Sequence, residues 1–207
     1  MNLDQIAIRH NTDKSTKTHG YTPIYEKFFE SLRLLPLTLI ELGTGGYWKK
    51  HEGFHGAKTW AEYFHNAKII TIDIQEKTLP DFPRIEFYQG SQDDPNFLQS
   101  VVERVGPPNI IIDDASHISP LTIRSFEILF PLLKPGGLYV IEDLHASYWD
   151  QIATDGTDFQ GGINNPGAIL NFLKSLVDSL NHEHCPIPDR GIESIHFYEK
   201  IVFIKKR

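Results

Sequence analysis

The 207-residue sequence predicts a doubly wound α/β fold, a seven-stranded and mostly parallel sheet finished by a C-terminal antiparallel hairpin. Three observations predict it. Short apolar runs at Leu37–Gly43, Lys68–Asp73, Arg84–Tyr88, Ile110–Asp113 and Gly137–Ile141 alternate with stretches of helical spacing. Ile110-Ile-Ile112 is β-branched and unbroken by polar residues, as in a strand covered on both faces. Several runs stop on acids or glycines, which puts polar groups at the strand C-termini, the edge where open parallel sheets bind ligands.

Residues 1–36 read as a helical N-terminal cap, and 37–207 as the sheet core of a single domain. A short helix near Leu3–Arg9 precedes the polar loop Asn11–Gly20. Thr22 then suits a helix N-cap and Pro23 the first helical position. Tyr25, Phe28, Phe29 and Leu32 follow at helical spacing and form a core-facing stripe.

The first strand runs into Gly43-Thr-Gly45-Gly46. A dinucleotide loop needs a third glycine and an immediate helix, so that the helix N-terminus meets the pyrophosphate. Here Trp48 stands at the third position and the helix is delayed to about Ala57. Close backbone approach at these glycines beside Glu41 instead suits a cofactor carrying an ammonium, a sulfonium and a nucleoside. S-adenosylmethionine is such a molecule. Asp73, ending the second strand, is placed to accept ribose hydroxyls. The third strand leads to Gly90–Asp94, a loop placed either to meet adenine through Ser91, Gln92 or Asp93 or simply to cap the helix that starts at Pro95.

Two strands end in acid pairs, Asp113-Asp114 and Glu142-Asp143, the first followed by His117. Crowded carboxylates repel unless one is protonated or a cation sits among them. A hard divalent ion such as magnesium answers that with all-oxygen ligation and keeps positions for a substrate diol. His117 is then the candidate base, with His145 as rival. Tyr148 and Trp149 would supply an apolar wall for a sugar ring. Ser119-Pro120 starts the next helix, Asp150–Gly167 reads as a long loop suited to a substrate lid, Asn165-Pro166 opens a helix through about Asn181, and Ser194–Lys206 is a hairpin turning near Glu199-Lys200. His182-Glu-His184-Cys185 has no second half at metal-ligand spacing, so it reads as a polar turn.

Composition narrows the partners. A formal charge of −7 and a pI near 5.8 give no basic footprint for nucleic acid. No apolar run reaches the ~18 residues of a membrane span, and the start Met1-Asn-Leu-Asp-Gln has no signal-peptide pattern. With the single cysteine, Cys185, this leads to the expectation of a cytoplasmic protein. A homodimer is an open expectation.

The chain resembles the class I S-adenosylmethionine-dependent methyltransferases, which are Rossmann-like. More narrowly it resembles the metal-dependent sugar O-methyltransferases of macrolide and anthracycline-type antibiotic biosynthesis, relatives of the cephalosporin hydroxylases. The segments carrying this are Thr12–Lys14 with His19–Tyr25, Glu41–Gly46, Lys58–Trp60 through Ile72–Ile74, Ile112–His117 and Tyr139–Leu144. The resemblance implies that Glu41, Gly43, Gly45, Asp73 and Gln92 hold the cofactor, with Asp13, Lys14 and Tyr21 closing over it. Asp114, Glu142 and Asp143 would bind Mg2+ and His117 would act as base on a glycoside, nucleotide-sugar or polysaccharide-precursor hydroxyl. Ser91 departs from the acid usual in related enzymes, and the sequence starts without the N-terminal domain of the longer antibiotic enzymes. A nicotinamide-dependent oxidoreductase, a catechol-type O-methyltransferase and a non-catalytic cofactor-binding module are the alternatives.

Overall fold

The computed structural model describes residues 1–207. The chain divides into two compact units, Met1–Ser91 and Gln92–Arg207, a division that composition does not mark. Seven strands form the mixed sheet that the alternating pattern predicts.

In the first unit, α1 (Leu3–Arg9) opens with a capping box in which Asn2 accepts from the Gln5 amide and Gln5 returns the bond. Helix α2 begins at Thr22 and ends at Phe29. Thr22 is not the expected cap, because Tyr21 precedes the helix in αR conformation and the Thr22 hydroxyl donates to Asp4 on α1 instead. Tyr25 and Phe29 are buried against Trp60 and Phe64, but Phe28 is only partly covered. Strands β1 (Thr38–Leu42), β2 (Lys68–Asp73) and β3 (Ile85–Gln89) are parallel in the order β3-β2-β1. Helix α3 (His55–Tyr63) connects β1 to β2 and starts two residues earlier than Ala57. The end of α3 and the turn after it are gathered by one side chain. Arg84, just before β3, donates to the carbonyl oxygens of Ala61, Phe64 and Ala67.

In the second unit, α4 (Pro95–Val105) is capped by Asp94, which accepts from the Asn96 and Phe97 amides. Strand β4 (Ile110–Asp113), helix α5 (Ser119–Leu129) and strand β5 (Leu138–Ile141) form a parallel crossover with Asp113 paired to Ile141. Helix α6 (Ile169–Ser179) starts later than Asn165-Pro166, since Asn165 is spent in a turn that accepts from Gly167. Strands β6 (Ile192–Tyr198) and β7 (Ile201–Lys206) are the antiparallel hairpin, and the order is β4-β5-β7-β6. The parallel strands β4 and β5 are buried along their length, as strands covered on both faces must be. No helix is long and apolar enough to cross a membrane.

Because the Arg84 guanidinium serves carbonyls at the end of α3 and on the turn that leads to β2, Arg84→Ala should destabilise the chain by about 1.5–3 kcal/mol, the usual range for bonds from a charged donor. Urea unfolding would read this, and Arg84→Lys should recover only part of it, because an ammonium cannot fork across three acceptors.

Candidate functional site

The first unit carries most of the predicted cofactor residues. Glu41 is buried in β1, and the Trp60 indole N–H donates to its Oε1 at 2.8 Å. The carboxylate fits there only because α3 has a glycine at its second position. A Cβ on Gly56 would lie 2.3 Å from Glu41 Oε1. Beyond β1, Gly43 donates its N–H to Ile72 O at 2.8 Å, and the Thr44 amide donates to Asp73 Oδ2 at 2.9 Å. Asp73 Oδ1 also accepts from the Gln75 amide, so the acid fixes the loop that it borders and keeps lone pairs for a ligand.

Gly45 has φ +74° with open space where a side chain would stand, which leaves its backbone approachable. The Thr44 hydroxyl beside it is buried without a hydrogen-bond partner. Lys77 closes this loop from below. Its buried ammonium donates to the carbonyls of Tyr47 and Lys49.

The polar loop before α2 is more ordered than its composition suggests. Asp13 O accepts from the His19 amide, and Lys14 O accepts from the Tyr21 and Thr22 amides. Lys14 and Tyr21 are buried, Asp13 is exposed, and the His19 ring stacks on Tyr21 at 5.3 Å.

In the second unit, Gln92 is buried with its Oε1 accepting from the Ser116 amide at 3.1 Å, while its Nε2 has no partner. An unsatisfied buried donor is costly, so this amide suits a ligand acceptor.

Ser116 lies on the β4–α5 loop, where Asp114, His117 and, after β5, Asp143 come together. Their ligand atoms all lie within 4.8 Å of one another. His117 Nε2 is 3.5 Å from Asp143 Oδ2 and 3.8 Å from Asp114 Oδ1. His117 at φ +57° and Asp143 at φ +54° are left-handed, a conformation non-glycine residues hold only where the surroundings impose it. Glu142 is buried at the end of β5, its amide donating to Asp113 O, and stands outside this group of three. His145 Nδ1 lies 3.9 Å from Asp143 Oδ1.

Beneath the cluster is Asp113, whose carboxyl burial pushes up to about 6 although the Ser125 hydroxyl, the charge of His117, the Tyr139 hydroxyl and the Ala115 amide all oppose the rise. The sequence reading paired Asp113 with Asp114 at the strand end and gave it no role of its own. An acid on the covered face of a strand, with a serine in the following helix, was the available signal.

After Asp143 a 3-10 turn, Leu144–Tyr148, leads to Trp149. Its ring meets His145 and Phe159 edge-on at 5.2 and 5.5 Å. The loop expected as a lid is fastened at two points, since Phe159 O accepts from the Ser119 amide and Ser147 O from that of Gly162. His182, Glu183, His184 and Cys185 form no metal-holding group. A 450 Å³ cleft beside them, reaching Arg207, holds none of the predicted site residues.

Two carboxylates and an imidazole at these distances can hold a hard cation and leave positions for oxygen ligands, and they can take a proton from a hydroxyl that the cation acidifies. With the sheet and connection order above, this is the class I methyltransferase fold.

Comparison with known proteins then makes the chain a homologue of the sugar O-methyltransferases of macrolide and tetracenomycin biosynthesis. Over 99% of its length it is 37% identical to 8-demethyl-8-alpha-L-rhamnosyl tetracenomycin-C 2'-O-methyltransferase of Streptomyces olivaceus, covering 54% of that protein, and 36% identical to demethylmacrocin O-methyltransferase of Streptomyces fradiae, covering 53%. The MycE methyltransferase of the mycinamycin pathway, solved with Mg, SAH and mycinamycin VI, superposes with a TM-score of 0.91 at 36% identity over 100% of this chain and 53% of its own. The chain therefore spans about half the length of the relatives it matches. No family model matches.

Gly56→Ala should destabilise the first unit by about 1–3 kcal/mol, as overpacking in a filled interior does, because the new methyl must displace the Glu41 carboxylate. A thermal melt showing an unchanged midpoint would refute this placement of Glu41.

Proposed function

We propose that this chain is an S-adenosylmethionine-dependent, magnesium-assisted O-methyltransferase that acts on a sugar hydroxyl. The observation that carries the reading is the cluster of Asp114, His117 and Asp143 within 4.8 Å, on a chain homologous to named sugar O-methyltransferases. The acceptor class is a glycosylated metabolite or a polysaccharide precursor, and a cytoplasmic setting goes with it.

The chain's residues fit both groups. In the first unit the partnerless Thr44 hydroxyl and the open face of Gly45 suit a nucleoside cofactor; in the second, the partnerless Gln92 amide suits a ligand acceptor and the acids suit a hard cation. Glu41, Gly43, Gly45, Asp73, Gln92, Asp13, Lys14 and Tyr21 would hold the cofactor, and Asp114 and Asp143 the ion, with Glu142, buried outside their cluster, joining them only if its side chain turns. When bound, the cofactor supplies an electrophilic methyl group on sulfur and the ion lowers the pKa of a hydroxyl.

His117 would receive the hydroxyl proton, and Asp143 and Asp114, 3.5 and 3.8 Å from its Nε2, would stabilise the charge the ring then carries. Asp114 and Asp143 would hold the ion and so help to orient the acceptor. Trp149 and Tyr148, both exposed, would flank the sugar ring. The nicotinamide reading is not favoured, since the relatives reported are methyltransferases.

Calorimetry should show S-adenosylhomocysteine binding to the purified chain, and a melt should show Mg2+ or Mn2+ raising the midpoint in wild type but not in Asp143→Ala. An ion at 100 times its Kd adds about 2.7 kcal/mol. Once an acceptor is found among glycosides and nucleotide sugars, His117→Ala should lower kcat by about 10²–10⁴ with cofactor binding retained. Unchanged turnover in both His117→Ala and Asp114→Ala would end this reading.

A further inference from the structure

We infer that Asp113 is a positioning residue, a buried carboxylate that sets the β4–α5 loop so that Asp114 presents its carboxylate to an ion with His117 held beside it. The inference rests on the metal reading above. Asp113 is 1% exposed, and the charge that acts on it is that of the His117 imidazole rather than of a lysine or arginine. Its carboxylate accepts from three donors on three segments, the Ser125 hydroxyl on α5, the Tyr139 hydroxyl on β5 at 3.2 Å, and the Ala115 amide on the loop itself.

Ala115 lies between Asp114 and His117, so the charge-assisted bond to its amide fixes the peptide that joins the two. The Asp113 carbonyl meanwhile accepts from the Glu142 amide at 3.0 Å, one residue before Asp143. One residue thus ties both arms of the cluster.

Stability alone gives little reason for this arrangement. Burying a carboxylate with no lysine or arginine beside it disfavours folding, and apolar residues of similar volume often serve a core as well or better. A charge kept there, one residue from Asp114, is explained if it orders the ligands and adds negative potential where a cation binds. Groups that orient metal ligands from behind typically change metal affinity 10–100-fold when removed.

The test uses Mn2+ as probe on the purified full chain, its affinity read by electron paramagnetic resonance without cofactor or acceptor, with a melt of each variant in parallel. Asp113→Asn should weaken Mn2+ about 10–100-fold. Tyr139→Phe and Ser125→Ala, which also cover the case that Asp113→Asn does not fold, should each weaken it about 2–10-fold, and Ser125→Thr should restore it. Leu98→Ala in α4, a buried site outside the network, should lower the melting midpoint without changing Mn2+ affinity.

If wild type binds Mn2+ and the network variants bind within twofold of it, the inference is overturned and the metal reading stands. The same follows if Leu98→Ala loses affinity in proportion to its midpoint, because the effect is then one of stability. If wild type binds no Mn2+, both fail together.

Discussion

Like charge held together is the constraint on which the second unit is arranged. Asp114 and Asp143 approach one imidazole at 3.8 and 3.5 Å, close enough that the acids repel at any dielectric a protein surface offers unless a positive charge lies among them. Two residues of the cluster stand in the left-handed region to permit this, and such conformations persist only where surrounding contacts dictate them. Those contacts exist. The 3-10 turn closes on Asp143 through the Ala146 amide, and the Leu144 amide reaches Lys200 O at the hairpin turn.

The first unit solves a different problem, that of bringing backbone close to a ligand while keeping a buried acid satisfied. Glu41 is accommodated by the missing side chain of Gly56 and held by Trp60, so α3 lies against β1 with a carboxylate between them. Asp73 ties the end of β2 to the start of the glycine loop. The residues a nucleoside would meet are therefore also the ones that shape the loop, which is why single changes there should affect fold and binding together.

The parallel sheet, with strand runs rich in Ile, Leu and Val, was legible because burial on both faces removes polar alternation. Helix α1, strand β2 and the Ser119 helix start lie where patterning puts them. Thr22 misled because local preference for a cap was outbid by a bond to Asp4, eighteen residues distant in sequence. Asn165-Pro166 misled for a similar reason, its side chain being engaged in loop closure.

The sequence by itself determined the inventory of the site. Acids at the ends of β4 and β5, a histidine three residues past the first pair and glycines after β1 are read directly, because strand ends in a parallel sheet must carry the groups that meet ligands. Only the tertiary structure decided which acids meet. The strand register sets Asp113 opposite Ile141, and continued regularly it would set Asp114 opposite Glu142. The left-handed turn at Asp143 instead brings that acid to His117, while Glu142 remains buried beside the strand. Backbone angles of this kind answer to packing around the loop rather than to residue type, so no pattern in the chain announced them.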